Sequence, residues 1–159
     1  MKDETHNPHR AWPILLLALA GLIIIPALSQ GSTTGTDFTY AGGTESFQSG
    51  CGGKLELSGT AMTFQCPEGS VTVPYHAITR MEYRPKVSRS VRRLKLHWKV
   101  KPSGSGGKTN LFFTVLFRQD GCTQALVLRV LPVEMRPYLA EIELNTRKRI
   151  DVWDYRGYD

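Results

Sequence analysis

Hydrophobic and polar residues are distributed differently in the first thirty residues and in the remainder of the chain. Residues 11–28 (AWPILLLALAGLIIIPAL) contain no charged side chain and are apolar all round a helix. From residue 53 onward, apolar and polar positions alternate, as in KLELS and MTFQC, which is the pattern of strands with one buried face. The chain is therefore predicted to be one hydrophobic N-terminal helix followed by a β-rich domain.

The hydrophobic segment 11–28 has nearly the length of a transmembrane helix. Its 18 residues would extend about 27 Å, and it is longer than the usual core of a secretory signal. The small residues at its end (ALSQ) are nevertheless spaced as before a cleavage point. Lys2 and Arg10 precede it and no basic residue lies in 29–53, which favours an inside N-terminus. We expect a single-pass membrane protein with an extracytoplasmic domain, or a secreted or periplasmic protein after cleavage.

Composition divides the chain into five parts. Between the hydrophobic segment and the alternating region, Gly, Ser and Thr are abundant (GSTTGT, AGGT), which is typical of a flexible linker. The predicted parts are an N-terminal flank 1–10, the anchor or signal core 11–28, a linker 29–46, a folded domain 47–150 and a tail 151–159.

About seven short strands and one helix are predicted in the domain. Ser58-Gly59 and Asp120-Gly121 are turn signals between alternating segments. Met135, Leu139 and Ile142 recur at helical spacing, which predicts a helix over 133–146 in which Pro137 is tolerable only in the first turn. Strands are predicted on both sides of Ser58-Gly59 and over 70–74, 78–84, 94–101, 110–118 and 123–130.

The order of these elements resembles a known family. GKLELS, then MTF, then VPY and Ile78 look like the opening of a bacterial-type pleckstrin-homology-like (PH-like) or GRAM-like domain. The resemblance covers about residues 51–150 and implies an antiparallel barrel of about seven strands capped by one C-terminal α-helix. In lipid-binding members the loop joining the first two strands carries basic residues. Here that loop is SGT, so the family's phosphoinositide site is not carried over.

Positive charge is concentrated in residues 80–101, within a chain of net charge +6. The centre of this stretch (PKVSRSVRR) has few large apolar residues and is predicted to be an exposed loop. Arginine pairs can chelate phosphate in a forked geometry, and basic clusters are attracted to anionic lipid. An ordinary solvated face is the alternative, and nucleic acid is disfavoured because the domain is expected outside the cytoplasm. The candidate anion-binding residues are Arg84, Lys86, Arg89, Arg92 and Arg93.

The three cysteines suggest one cross-link. Counting outward from a two-residue turn at Ser58-Gly59 pairs Leu57 with Thr60 and puts Cys51 opposite Cys66. A disulfide between these two is plausible in an extracytoplasmic compartment, and two buried free thiols are the alternative. Cys122 would remain unpaired.

No catalytic or cofactor motif is complete. PSGSGGKT imitates a phosphate loop but has Pro102 in place of the first glycine and precedes a predicted strand. The histidines lack partners at metal-ligand spacing, and no Gly-x-Ser-x-Gly elbow occurs. We therefore predict no enzyme activity, no cofactor and no metal site. The expected function is that of a membrane-tethered binding module for anionic lipid head groups or an acidic partner. A cell-envelope scaffold that binds proteins and no lipid is the alternative.

Overall fold

The computed structural model describes residues 37–102 and 110–153. The predicted hydrophobic helix 11–28 and its flank 1–10 lie outside the described residues, as do most of the PSGSGGKT loop and of the tail. A 3-10 turn at Tyr75–Ala77 lies between the fourth and fifth strands. The strands and helices are β1 (Phe38–Gly43), β2 (Gly52–Leu57), β3 (Ala61–Cys66), β4 (Gly69–Pro74), β5 (Ile78–Arg84), α1 (Arg89–Arg92), β6 (Leu111–Gln119), β7 (Cys122–Val130), α2 (Pro132–Thr146) and β8 (Asp151–Val152).

The strands form one open sheet. Its order is β4-β3-β2-β1-β7-β6-β5-β8, and every pair is antiparallel except β5 and β8, which are parallel. The mainly β fold with a C-terminal helix is confirmed, but the expected closed barrel is wrong for the described residues. A closed barrel requires the two edge strands to pair with each other, and among the described residues the edge strands β4 and β8 do not pair. β8 lies beside β5, with Glu82 opposite Asp151 and Tyr83 opposite Val152.

One face of the sheet carries the main core. Alternate residues of the strands point into it, including Phe38, Tyr40 and Phe64, which are completely buried. α2 packs against this core through Met135 and Ile142. The helix matches the prediction closely, although Pro137 lies in its second turn and not in its first. Pro137 is exposed, so its ring lies on the solvent side of the helix.

Two predictions made from composition and periodicity differ from the structure. Phe38–Gly43, within the expected linker 29–46, is strand β1. Its glycines permit close packing, because a Cβ on Gly43 would lie 2.3 Å from the carbonyl oxygen of Ala125. The expected strand over 94–101 does not form a ladder, and only Val100 makes a bridge, to Gly43. The alternation there arises because Leu96 and Trp98 pack against the sheet face.

The β2–β3 hairpin has a register two residues away from the predicted one. Leu57 pairs with Met62 and not with Thr60, and the Ser58 hydroxyl accepts a hydrogen bond from the Ala61 amide over 3.1 Å. A shift of two leaves every side chain on its predicted face. The structure contains a disulfide between Cys51 and Cys66, whose Cα atoms are 6.1 Å apart. Cys122 is a free, exposed cysteine.

Candidate anion-binding edge

The outer face of the sheet is covered by the segment that follows β5. We call residues 85–101 the strap. Five residues of β1, β6 and β7 form a second apolar cluster on this face, and Val87 and Val91 of the strap are buried against it. The strap therefore has a fixed place, in contrast to the exposed loop that the sequence predicts for PKVSRSVRR. The five sheet residues are Ala41, Phe112, Leu116, Ala125 and Val127.

The single-turn helix α1 is positioned by a capping serine and a buried glutamate. The Ser88 hydroxyl accepts a hydrogen bond from the Val91 amide over 3.3 Å, which satisfies one free donor at the start of the helix. The same hydroxyl donates to Glu82 Oε1 over 3.0 Å. Because Val91 is completely buried, α1 is held at its start and along its inner side.

Glu82 is a buried carboxylate directly beside α1. Only 1% of it is exposed, and its Oε1 lies 2.6 Å from Arg80 Nη2. Its Oε2 and the hydroxyl of Thr114, the residue opposite it on β6, are buried with no hydrogen-bond partner among the described atoms. Sequence reasoning did not assign Glu82 a role. The available signal was that Glu82 is the only acid within the basic stretch 80–101.

The five predicted anion-binding residues separate into two groups. The Arg84 side chain is partly buried, and its guanidinium lies 2.5 Å from the Asp151 carboxylate, so it fastens β8 to β5. Lys86, by contrast, is exposed. Both lie at an open depression of about 340 Å³, which is also lined by Pro85 and Trp153. The sequence places Trp153 in the predicted tail 151–159, and no local pattern indicates that it lies beside Arg84 and Lys86.

The other three residues form a cluster on α1. Arg89, Arg92 and Arg93 have the spacing i, i+3 and i+4, which makes them neighbours on a helix surface, and they line an open depression of about 270 Å³. All three are exposed. No carboxylate within the described residues forms a salt bridge with any of them or with Lys86.

The guanidinium groups of Arg89, Arg92 and Arg93 are exposed together and can donate hydrogen bonds to an anion. Guanidinium groups offer only donors, arranged in a fork that matches phosphate or carboxylate oxygens. Arg89 is repelled by Arg92 at i+3 and by Arg93 at i+4, at about 0.2–0.5 kcal/mol for each pair, and an anion bound between them would offset this repulsion. Within residues 37–102 and 110–153 no group of His, Cys, Asp and Glu could hold a metal ion. The same residues include no helix that is long and apolar enough to cross a membrane.

Comparison with known proteins does not identify a family. No protein-family model matches the chain, and no curated protein matches it.

Proposed function

We propose that the described domain is a PH-like binding module, tethered to a membrane by residues 11–28, that contacts anionic lipid head groups. Seven antiparallel strands followed by α2 support the PH-like assignment. The proposed contact residues are Lys86, Arg89, Arg92 and Arg93, because these cations are exposed and have no described acidic partner. Arg84 supports the edge through its ion pair with Asp151.

The observation that carries the proposal is the rigid presentation of an uncompensated arginine cluster. Burial of Val91 and the bond from Ser88 to Glu82 fix α1 on the sheet, so Arg89, Arg92 and Arg93 share one depression before any ligand binds. Each basic side chain near an anionic leaflet contributes about 1 kcal/mol. Four such residues give about 4 kcal/mol, which corresponds to roughly a thousandfold preference for anionic over neutral membranes at low salt.

Vesicle flotation tests this proposal with the full chain. The protein is placed in nanodiscs of neutral phosphatidylcholine, and the discs are mixed with vesicles of phosphatidylcholine alone or with added phosphatidylglycerol. We expect the discs to float with the anionic vesicles only. Flotation should be lost at about 1 M salt, where the Debye length is about 3 Å.

Two matched triple variants locate the contact. The variant R89S/R92S/R93S keeps only the contribution of Lys86, about 1 kcal/mol, so its preference for anionic over neutral vesicles should fall to about fivefold. The variant R118S/R136S/R149S removes the same charge from three other exposed positions and should float like the unmodified chain. Equal flotation of the two variants would overturn the assignment of the α1 cluster. Absence of anionic flotation by the unmodified chain, with salt-insensitive capture of a protein partner, would favour the scaffold function instead.

A further inference from the structure

The start of β1 and the ends of β5 and β8 lie at the same end of the sheet. Val130 pairs with Phe38 on one side and with Leu111 on the other, and the next residue of β6, Phe112, pairs with Arg84. β8 runs parallel to β5 and ends one residue before Trp153. We call this the tether end, because the chain arrives there from the N-terminal segment.

Trp153 is held at the tether end by several contacts. Its amide donates to the Tyr83 carbonyl oxygen over 3.1 Å, and Asp151 pairs with Arg84. Just before β8, Ile150 is buried in the main core, and its amide donates to the Glu143 carboxylate over 2.7 Å. Trp153 thus has a defined backbone position although 56% of the residue is exposed.

The surroundings of Trp153 combine apolar and cationic groups. Trp153 lines one open depression together with Arg84, Pro85 and Lys86. Two acids lie close to Trp153 in sequence: Asp154 is the next residue, and Asp151 lies two residues before it. The Asp151 carboxylate is already paired with Arg84. An indole is an amphipathic group that accumulates where a bilayer meets water, and a neighbouring lysine can keep its ammonium at the level of the phosphates.

We propose that Trp153 inserts into the interfacial region of an anionic bilayer, with Lys86 at the phosphate level, so that the domain docks by its tether end. This inference rests on the proposed function and adds to it an apolar, salt-resistant contact.

Fluorescence quenching tests the insertion directly. The full chain carries W12F and W98F, so that Trp153 is its only tryptophan, and is placed in nanodiscs whose lipids are brominated near the head group or deep in the acyl chain. We expect severalfold stronger quenching by the shallow bromines than by the deep ones. The effect should appear in discs containing phosphatidylglycerol and disappear in neutral discs.

A substitution pair separates this inference from the proposed function. At low salt, W153S should float with anionic vesicles like the unmodified chain. At intermediate salt, where part of the unmodified chain still floats, W153S should no longer float. L144S is the control, because it removes another exposed apolar side chain, which lies on α2 and is 77% accessible. It should leave flotation unchanged at both low and intermediate salt. Anionic flotation without shallow quenching, or W153S behaving like L144S, would overturn the insertion of Trp153 and leave the proposed function standing. Loss of anionic flotation by the unmodified chain would overturn both.

Discussion

Shortening Val91 to alanine tests whether the strap is docked as described. Val91 is completely buried in the outer apolar cluster, and V91A removes two buried carbon groups. At about 0.8 kcal/mol for each, the lost transfer free energy is about 1.6 kcal/mol. Incomplete collapse of the cavity adds to this loss. Because Ile→Val removes one carbon group and V91A removes two, doubling the usual Ile→Val effect gives a total destabilisation of about 1–3 kcal/mol. We therefore expect the free energy of unfolding to fall by about 2 kcal/mol.

The assay is urea unfolding of the full chain, followed by circular dichroism. L94A is the matched control, because Leu94 lies three residues further along the strap and is 40% exposed. It should change the free energy of unfolding by less than about 0.5 kcal/mol. V91A should also weaken flotation with anionic vesicles, since a loosened α1 no longer holds its arginines together. A V91A effect no larger than that of L94A would refute the docking of α1 through Val91.

Further predictions concern the stability of the domain. The double variant C51S/C66S should lower the free energy of unfolding by about 3 kcal/mol in urea, because the disulfide closes a loop with a sequence separation of 15; a loss below about 1 kcal/mol would contradict this. Burial, and secondarily the Glu45 carboxylate, raise the pKa of Tyr40 above its ordinary value. The folded state therefore holds this proton more tightly than the unfolded chain, and stability should be complete below about pH 10 and fall as the pH rises further. Unfolding measured across this range should show a smaller decline in Y40F, and an unchanged slope would count against the assignment. G53A should destabilise the β2–β3 hairpin, since the added Cβ would lie 2.1 Å from the Gln65 carbonyl oxygen; unfolding at an unchanged urea concentration would contradict this.

Local periodicity allowed most strands and α2 to be predicted, and it failed where packing is not periodic. β1 was missed because its FTY alternation lies within a segment rich in Gly, Ser and Thr, whose composition resembles that of a linker. The LKLHWKV alternation in 94–101 predicts a strand, whereas Leu96 and Trp98 pack against the sheet without a ladder partner. A single chain provides the alternation but not the pairing partner.

The basic cluster could be located from the sequence, but its internal organisation could not. Charge density alone indicated 84–93, whereas the ion pair that removes Arg84 from the free set involves Asp151, 67 residues away. The position of Trp153 likewise depends on the return of β8 to the edge of β5. Such long-range pairings are fixed by tertiary packing and leave no local pattern. Glu82 alone had a readable signal, as the single acid in a basic stretch.

Hydrogen exchange of the strap is the measurement that tests the central claim most directly. The full chain in nanodiscs of neutral lipid is compared with the same chain in discs containing phosphatidylglycerol, and amide exchange is followed by mass spectrometry. The account predicts added protection of residues 84–93 in the anionic discs, reversed at about 1 M salt and absent in R89S/R92S/R93S. Identical exchange of residues 84–93 in the two lipid compositions would contradict it.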